Sequence, residues 1–137
     1  MKFDIKKLII TILILLLIMI IGLNLGIKRL YKLEYKEFVE KYSKEFEIDE
    51  ALIFAIIKNE SNFKKDVISN KEAIGLMQIL ESTKRDVEKI LDLENLNLYN
   101  EKDNILVGTK YISILKQKYG CIELAIAAYN AGPRKCR

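Results

Sequence analysis

The chain has 137 residues, with 23 basic and 19 acidic side chains, no His, no Trp, two Cys and six Gly. Lacking His and any G-x-G-x-x-G or phosphate-cradling loop, it has no means for Ser-His-Asp or Cys-His catalysis, zinc sites of the His or four-Cys type, a P-loop or a dinucleotide fold. Carboxylates, hydroxyls, amides, Tyr and Lys remain, which favours chemistry run by one or two carboxyl groups, with no metal and no cofactor expected.

Leu8 to Ile27 is an uncharged run of 20 residues bounded by Lys6 and Lys7 on one side and Lys28 and Arg29 on the other. At about 1.5 Å per residue it makes roughly 30 Å of helix, enough to span a bilayer. A cleavable signal peptide has an apolar core of only about 7 to 15 residues and a small-x-small site after it. Neither is present, so residues 1–30 read as an uncleaved anchor and residues 31–137 as one domain. Lys2, Lys6 and Lys7 stand against Lys28, Arg29, Lys32 and Lys36, a balance that does not set the orientation. Gly22 and Gly26 have a G-x-x-x-G spacing that is also frequent by chance. With Lys2, Asp4, Lys6 and Lys7 set aside, the remaining charge is close to balanced and interleaved, which gives no nucleic-acid footprint.

Tyr35, Phe38, Val39, Tyr42 and Phe46 recur at three- and four-residue intervals, so residues 34–46 form an amphipathic helix. Asp49 caps the next, which carries Leu52, Ile53, Ile56 and Ile57 to about Glu60. A polar, aperiodic loop follows to Glu72, then a short apolar piece from Ile74 to Leu80. Ser82 is expected to cap a helix bearing Val87, Ile90 and Leu91, and Asp103 one bearing Ile105, Leu106, Gly108, Ile112 and Leu115 that ends near Gly120. A last helix runs from about Ile122 to Asn130 and is stopped by Gly132 and Pro133. With no sustained alternation and no repeat, the fold class is all-α: short helices around one small core.

Glu60 stands out among the ionisable residues. Relative to Ile53 it lies seven residues on, in line with Ile56 and Ile57, so its carboxylate continues an apolar stripe. It also sits in the last helical turn, where the helix dipole is negative. Desolvation and that dipole both disfavour the charged form and raise its pKa toward the range of a general acid. A surface Glu paired with Lys64, or satisfied by the loop, explains the same position structurally. Tyr129 ends a stripe of Ile122, Ala125 and Ile126, equally suited to a core tyrosine with its hydroxyl at the edge. Ser69, Gln78 and Asn130 are polar residues beside apolar segments, each able to cap a helix or pin a loop.

In order along the chain, Ile56-Ile57-Lys58-Asn59-Glu60-Ser61-Asn62-Phe63, then Ser69, then Gly75-Leu76-Met77-Gln78-Ile79, then Ala128-Tyr129-Asn130-Ala131-Gly132-Pro133 resembles the soluble-type lytic transglycosylases of the lysozyme-like superfamily. Their pattern is a Glu-Ser at a helix end, a Gly-Leu-Met-Gln and a terminal Ala-Tyr-Asn-Ala-Gly. The resemblance implies a small lysozyme-like domain that cuts the β-1,4 bond between N-acetylmuramic acid and N-acetylglucosamine in peptidoglycan. Glu60 would protonate the glycosidic oxygen and then take the proton of the muramic C6 hydroxyl, closing a 1,6-anhydro ring. A substrate that supplies its own nucleophile removes the need for a second carboxylate. The resemblance also implies that Ser61 belongs to the substrate site and that Ser69 orients the 2-acetamido group or the catalytic carboxyl. Met77 and Gln78 would line the sugar groove, and Tyr129 and Asn130 would hold the Glu60 carboxyl and the substrate.

Two departures stand beside it. Leu80-Glu81 occupies the place where the family usually has Met-Pro, and the chain ends four residues after Pro133, which is expected to leave the groove short on one side. The implied partners are peptidoglycan strands, the membrane through the anchor, and a secretion, conjugation or wall-turnover apparatus, with the domain on the extracytoplasmic face. A lysozyme-type hydrolase, with Asp49, Asp66 or Glu72 as second carboxylate, and a non-catalytic glycan-binding scaffold are the alternatives. Cys121 and Cys136 are expected to stay unbridged, with Cys121 largely buried. The helix between them carries the chain some 14 Å away, against the roughly 7 Å a bridge allows between Cα atoms.

Overall fold

The structure, a computed structural model, describes residues 5–30 and 35–131, the side chains of 24–30 excepted. It divides into two compact units, Met1–Glu34 and Tyr35–Arg137. The described residues of the first form a helix, α1 (Ile5–Leu30), whose stretch Ile5–Leu23 has mean hydropathy 2.7 and no buried residue. Gly132, Pro133, Cys136 and the surroundings of Gly26 lie outside what is described.

The second unit has five helices among its described residues, joined by loops: α2 (Lys36–Phe46), α3 (Glu50–Ser61), α4 (Glu81–Leu91), α5 (Glu101–Tyr119) and α6 (Ile122–Ala131). The apolar spacing read from the sequence decides which faces go inward. Val39 and Tyr42 of α2 and Ile53, Ile56 and Ile57 of α3 are buried, at about 2 kcal/mol of transfer free energy for each large aliphatic. α5 is the central helix, packed against α2, α4 and α6 and buried along Asn104–Thr109.

Helix ends follow local chemistry, with two changes from expectation. Asp49 caps α3 as expected, its Oδ1 accepting from the amides of Ala51 (2.8 Å) and Leu52 (3.2 Å). Ser82 does not cap α4, because the chain leaves a tight hairpin at extended Leu80 and the helix already begins at Glu81. Asp103 does not cap α5 either. Asn100 does, accepting from the Asp103 amide, while the Asp103 carboxylate accepts from the Asn97 amide and closes the preceding loop. Gly120 ends α5 in the left-handed region, but α2, α3 and α4 end there on Glu47, Asn62 and Asp92 (φ 55°, 51° and 52°). Ile90, expected on the apolar side of α4, is exposed, and Cys121 is a partly exposed free thiol instead of a buried one.

Between α3 and α4 the chain makes two short antiparallel bridges, Ile68 with Ile74 and Ile74 with Ile79. Residues 74–79 close by paired bonds between Ile74 and Ile79, with Gly75 (φ 79°) and Gln78 (φ 49°) both left-handed. Gly75 is required there. A Cβ would run into the Asn104 side-chain amide and come within 2.8 Å of the Leu98 carbonyl.

Candidate active site

A cleft of about 730 Å³ opens between the end of α3, the loop from Ser69 to Leu80, the start of α4 and α6. Glu60, Ser69, Gln78, Tyr111, Tyr129 and Asn130 line it, with Lys71, Glu72, Glu81 and Arg85 toward its charged side. Glu60 is half-buried at its wall, as the stripe arithmetic requires. Burial holds its carboxyl above the ordinary range, opposed by a side-chain hydrogen bond with Asn59. The group is therefore more readily protonated near neutrality than a surface Glu, which is the state a proton donor needs.

Tyr129 lies against the same site but does not titrate usefully. Burial first, then the negative charge of Glu60, then Tyr111 hold its phenol well above its ordinary value. It acts as a donor, its hydroxyl giving a 2.7 Å bond to the Met77 carbonyl. Its ring tilts against Tyr111 at a centroid distance of 5.5 Å.

The loop residues hold their own backbone. Ser69 Oγ accepts from the amides of Lys71 (3.2 Å) and Ala73 (3.1 Å), which leaves its O–H as a donor. Gln78 Nε2 donates to the carbonyls of Val67 (3.1 Å) and Gly75 (2.9 Å), which leaves Oε1 as an acceptor at the cleft. Asn130 is exposed on the last turn of α6.

Two residues expected at the groove do not line it. Met77 is fully buried, because Gly108 on α5 offers a bare backbone against which its side chain fits; a Cβ there would be 2.8 Å from Met77 Cε. Ser61 is buried and donates back to the Ile57 carbonyl at 3.1 Å, one turn behind it. Of the three carboxylates considered for a hydrolase, only Glu72 borders the cleft. Asp49 is at the opposite end of α3, roughly 16 Å along the axis from Glu60, and Asp66 is exposed outside the lining.

Sequence reasoning missed Tyr111, Arg85, Lys71 and Glu81 on the cleft and Asn104 beneath it. Tyr111 carries the one available signal, an aromatic in register with Gly108 and Leu115 on α5. Nothing local marks the others.

The transglycosylase SLT domain model matches residues 37–137. The membrane-bound lytic murein transglycosylase C of Pectobacterium atrosepticum is 38% identical over 118 residues, covering 77% of this chain and 32% of that protein. Its namesake from Yersinia pestis is 35% identical over the same length and shares. This chain thus spans about a third of these relatives. Among solved structures, the 70-kDa soluble lytic transglycosylase of Escherichia coli superposes with a TM-score of 0.71 at 31% identity, over 77% of this chain and 18% of that one. An inactive mutant of the lytic transglycosylase Slt from Pseudomonas aeruginosa gives 0.70 at 26% identity, over 78% and 19%.

Proposed function

From the premise that this chain belongs to the transglycosylase SLT domain family, we propose that it is a lytic transglycosylase that cuts the MurNAc-GlcNAc β-1,4 bond of peptidoglycan. The observation that carries the reading is Glu60: a single half-buried carboxyl, raised in pKa, at the wall of a cleft large enough for sugar rings. Protonated Glu60 gives its proton to the glycosidic oxygen as the C1–O bond breaks. The resulting carboxylate takes the proton of the C6 hydroxyl as that oxygen bonds to C1, so the group is restored at the end of each turnover. Ser69, Gln78 and Asn130 are the polar groups that meet the sugars, and Tyr129 shapes the wall beside the acid. Met77 and Ser61 enter this scheme only through the backbone they fix.

The membrane-bound relatives and the Ile5–Leu23 helix support an anchored protein. A single pass with the domain on the outer face follows from where the substrate lies, in wall turnover or as the wall-opening component of a secretion or conjugation apparatus. Protease added to intact, wall-stripped cells should digest the domain; full protection would refute this topology.

A hydrolase is favoured only by Glu72 and Glu81, which bring further carboxylates to the cleft. Mass analysis of sacculi digested by the full chain decides: anhydro-muropeptides support the transglycosylase, whereas reducing-end products alone would replace it with the hydrolase.

A further inference from the structure

The buried amide of Asn104 lies beneath the cleft and outside its lining, and the mechanism above makes no use of it. At 1% exposure, its Oδ1 accepts from the Met77 amide at 2.9 Å, and its Nδ2 donates to the carbonyls of Ile74 (2.9 Å) and Leu98 (2.8 Å). One side chain on α5 thus ties together both ends of the 74–77 stretch and the loop before the helix. Met77 is held from two further directions, by the Tyr129 hydroxyl on its carbonyl and by the bare backbone of Gly108 against its side chain. The next residue, Gln78, enters the cleft in a left-handed conformation that L residues rarely adopt, so something outside it must hold it there.

We propose that Asn104 is a positioning residue: by clamping Met77 from the core side it sets where Gln78 and Tyr129 stand beside Glu60. This rests on the reading of the cleft as a glycan-cutting site. An apolar residue of similar size would fill the space but leave one amide and two carbonyls without partners, and the turn would be free to shift. Small displacements of a cleft wall fall on turnover, since the acid must meet the glycosidic oxygen at hydrogen-bond distance.

The test uses the full chain in detergent micelles. Hydrogen exchange on the wild type comes first. The Met77 amide, although in a turn, should exchange as slowly as the α5 core amides, and fast exchange there overturns the clamp. Asn104→Ala is then compared with Val39→Ala, a core truncation on α2 away from the cleft, at matched loss of melting temperature. Asn104→Ala should speed exchange at Met77 and Gln78 by about a hundredfold. It should also lower kcat per folded molecule by about tenfold or more with KM changing less than about threefold, while Val39→Ala keeps kcat. Equal kcat in the two variants means Asn104 is structural only and the proposal is wrong. If the wild type releases no anhydro product, the proposed function fails, and the exchange measurements still decide the clamp.

Discussion

The helical wall of the cleft, from α3, carries a carboxyl hydrogen-bonded to its neighbour Asn59, whereas the loop wall from Val67 to Leu80 turns Ser69 and Gln78 onto its own backbone. Ser61 shows the same division at closest range. It follows Glu60 directly, yet its hydroxyl turns back into α3. A motif of polar residues is therefore not a set of equal participants: Ser61 is committed to its own helix, Ser69 and Gln78 each hold the loop backbone with one group while keeping another toward the cleft, and the Glu60 carboxyl stands at the cleft wall.

The sharpest way to break this contrast is Glu60→Gln. The amide fills the same volume but donates no acidic proton, so release of anhydro-muropeptides should fall by about a thousandfold with the melting transition retained. Near-wild-type turnover would remove the single-acid mechanism. Next in size is Gly75→Ala on the loop wall. It forces a left-handed Ala and drives a Cβ into Asn104 and the Leu98 carbonyl, for an expected loss of about 2–4 kcal/mol in urea unfolding. A loss below about 1 kcal/mol would show that the turn yields more easily than the packing implies.

Tyr129→Phe should cost about 1–2 kcal/mol, because the Met77 carbonyl loses its buried donor. If stability is unchanged, that bond does not form in solution. Ser61→Ala removes only a bond within α3, so turnover should stay within about twofold and stability within about 1 kcal/mol. A large fall in turnover would return Ser61 to the substrate site.

The smallest effect is a pH-dependent stability difference. Glu60 has a folded pKa raised above its unfolded value, so the folded state binds its proton more tightly. Below the ordinary Glu range both states are protonated and nothing is lost. As pH rises through the unfolded and then the folded pKa, the desolvated charge increasingly disfavours the fold. Glu60→Gln, which carries no charge, should therefore match the wild type in acid and become the more stable of the two toward neutrality. Chemical denaturation at several pH values reads this directly, and a gap of opposite sign would mean the carboxylate is stabilised where it sits.

What was legible in the sequence was local. Asp49 caps the helix that begins at the next residue, and Glu60 falls on the apolar stripe by counting from Ile53. Both follow from spacing on one helix. The exchange of roles between Asn100 and Asp103 was not legible, since either can cap and the choice is made by the Asn97 amide in the preceding loop. Met77 reads as an ordinary member of a groove motif until Gly108, on another helix, provides the place that buries it. Asn104 is hidden for the same reason, with partners up to 30 residues back along the chain.

The non-glycine residues that end three of the helices bear on the unfolded chain as much as on the folded one. Glu47, Asn62 and Asp92 each hold a left-handed backbone at some native strain, about 1 kcal/mol where glycine would have little. Glycine at those places would add freedom to the denatured ensemble, at about 0.5–1 kcal/mol of entropy each. The two effects nearly offset. A chain with six Gly and one Pro can thus make its turns from ordinary residues at little net penalty, because those residues have less freedom to lose on folding than glycine would.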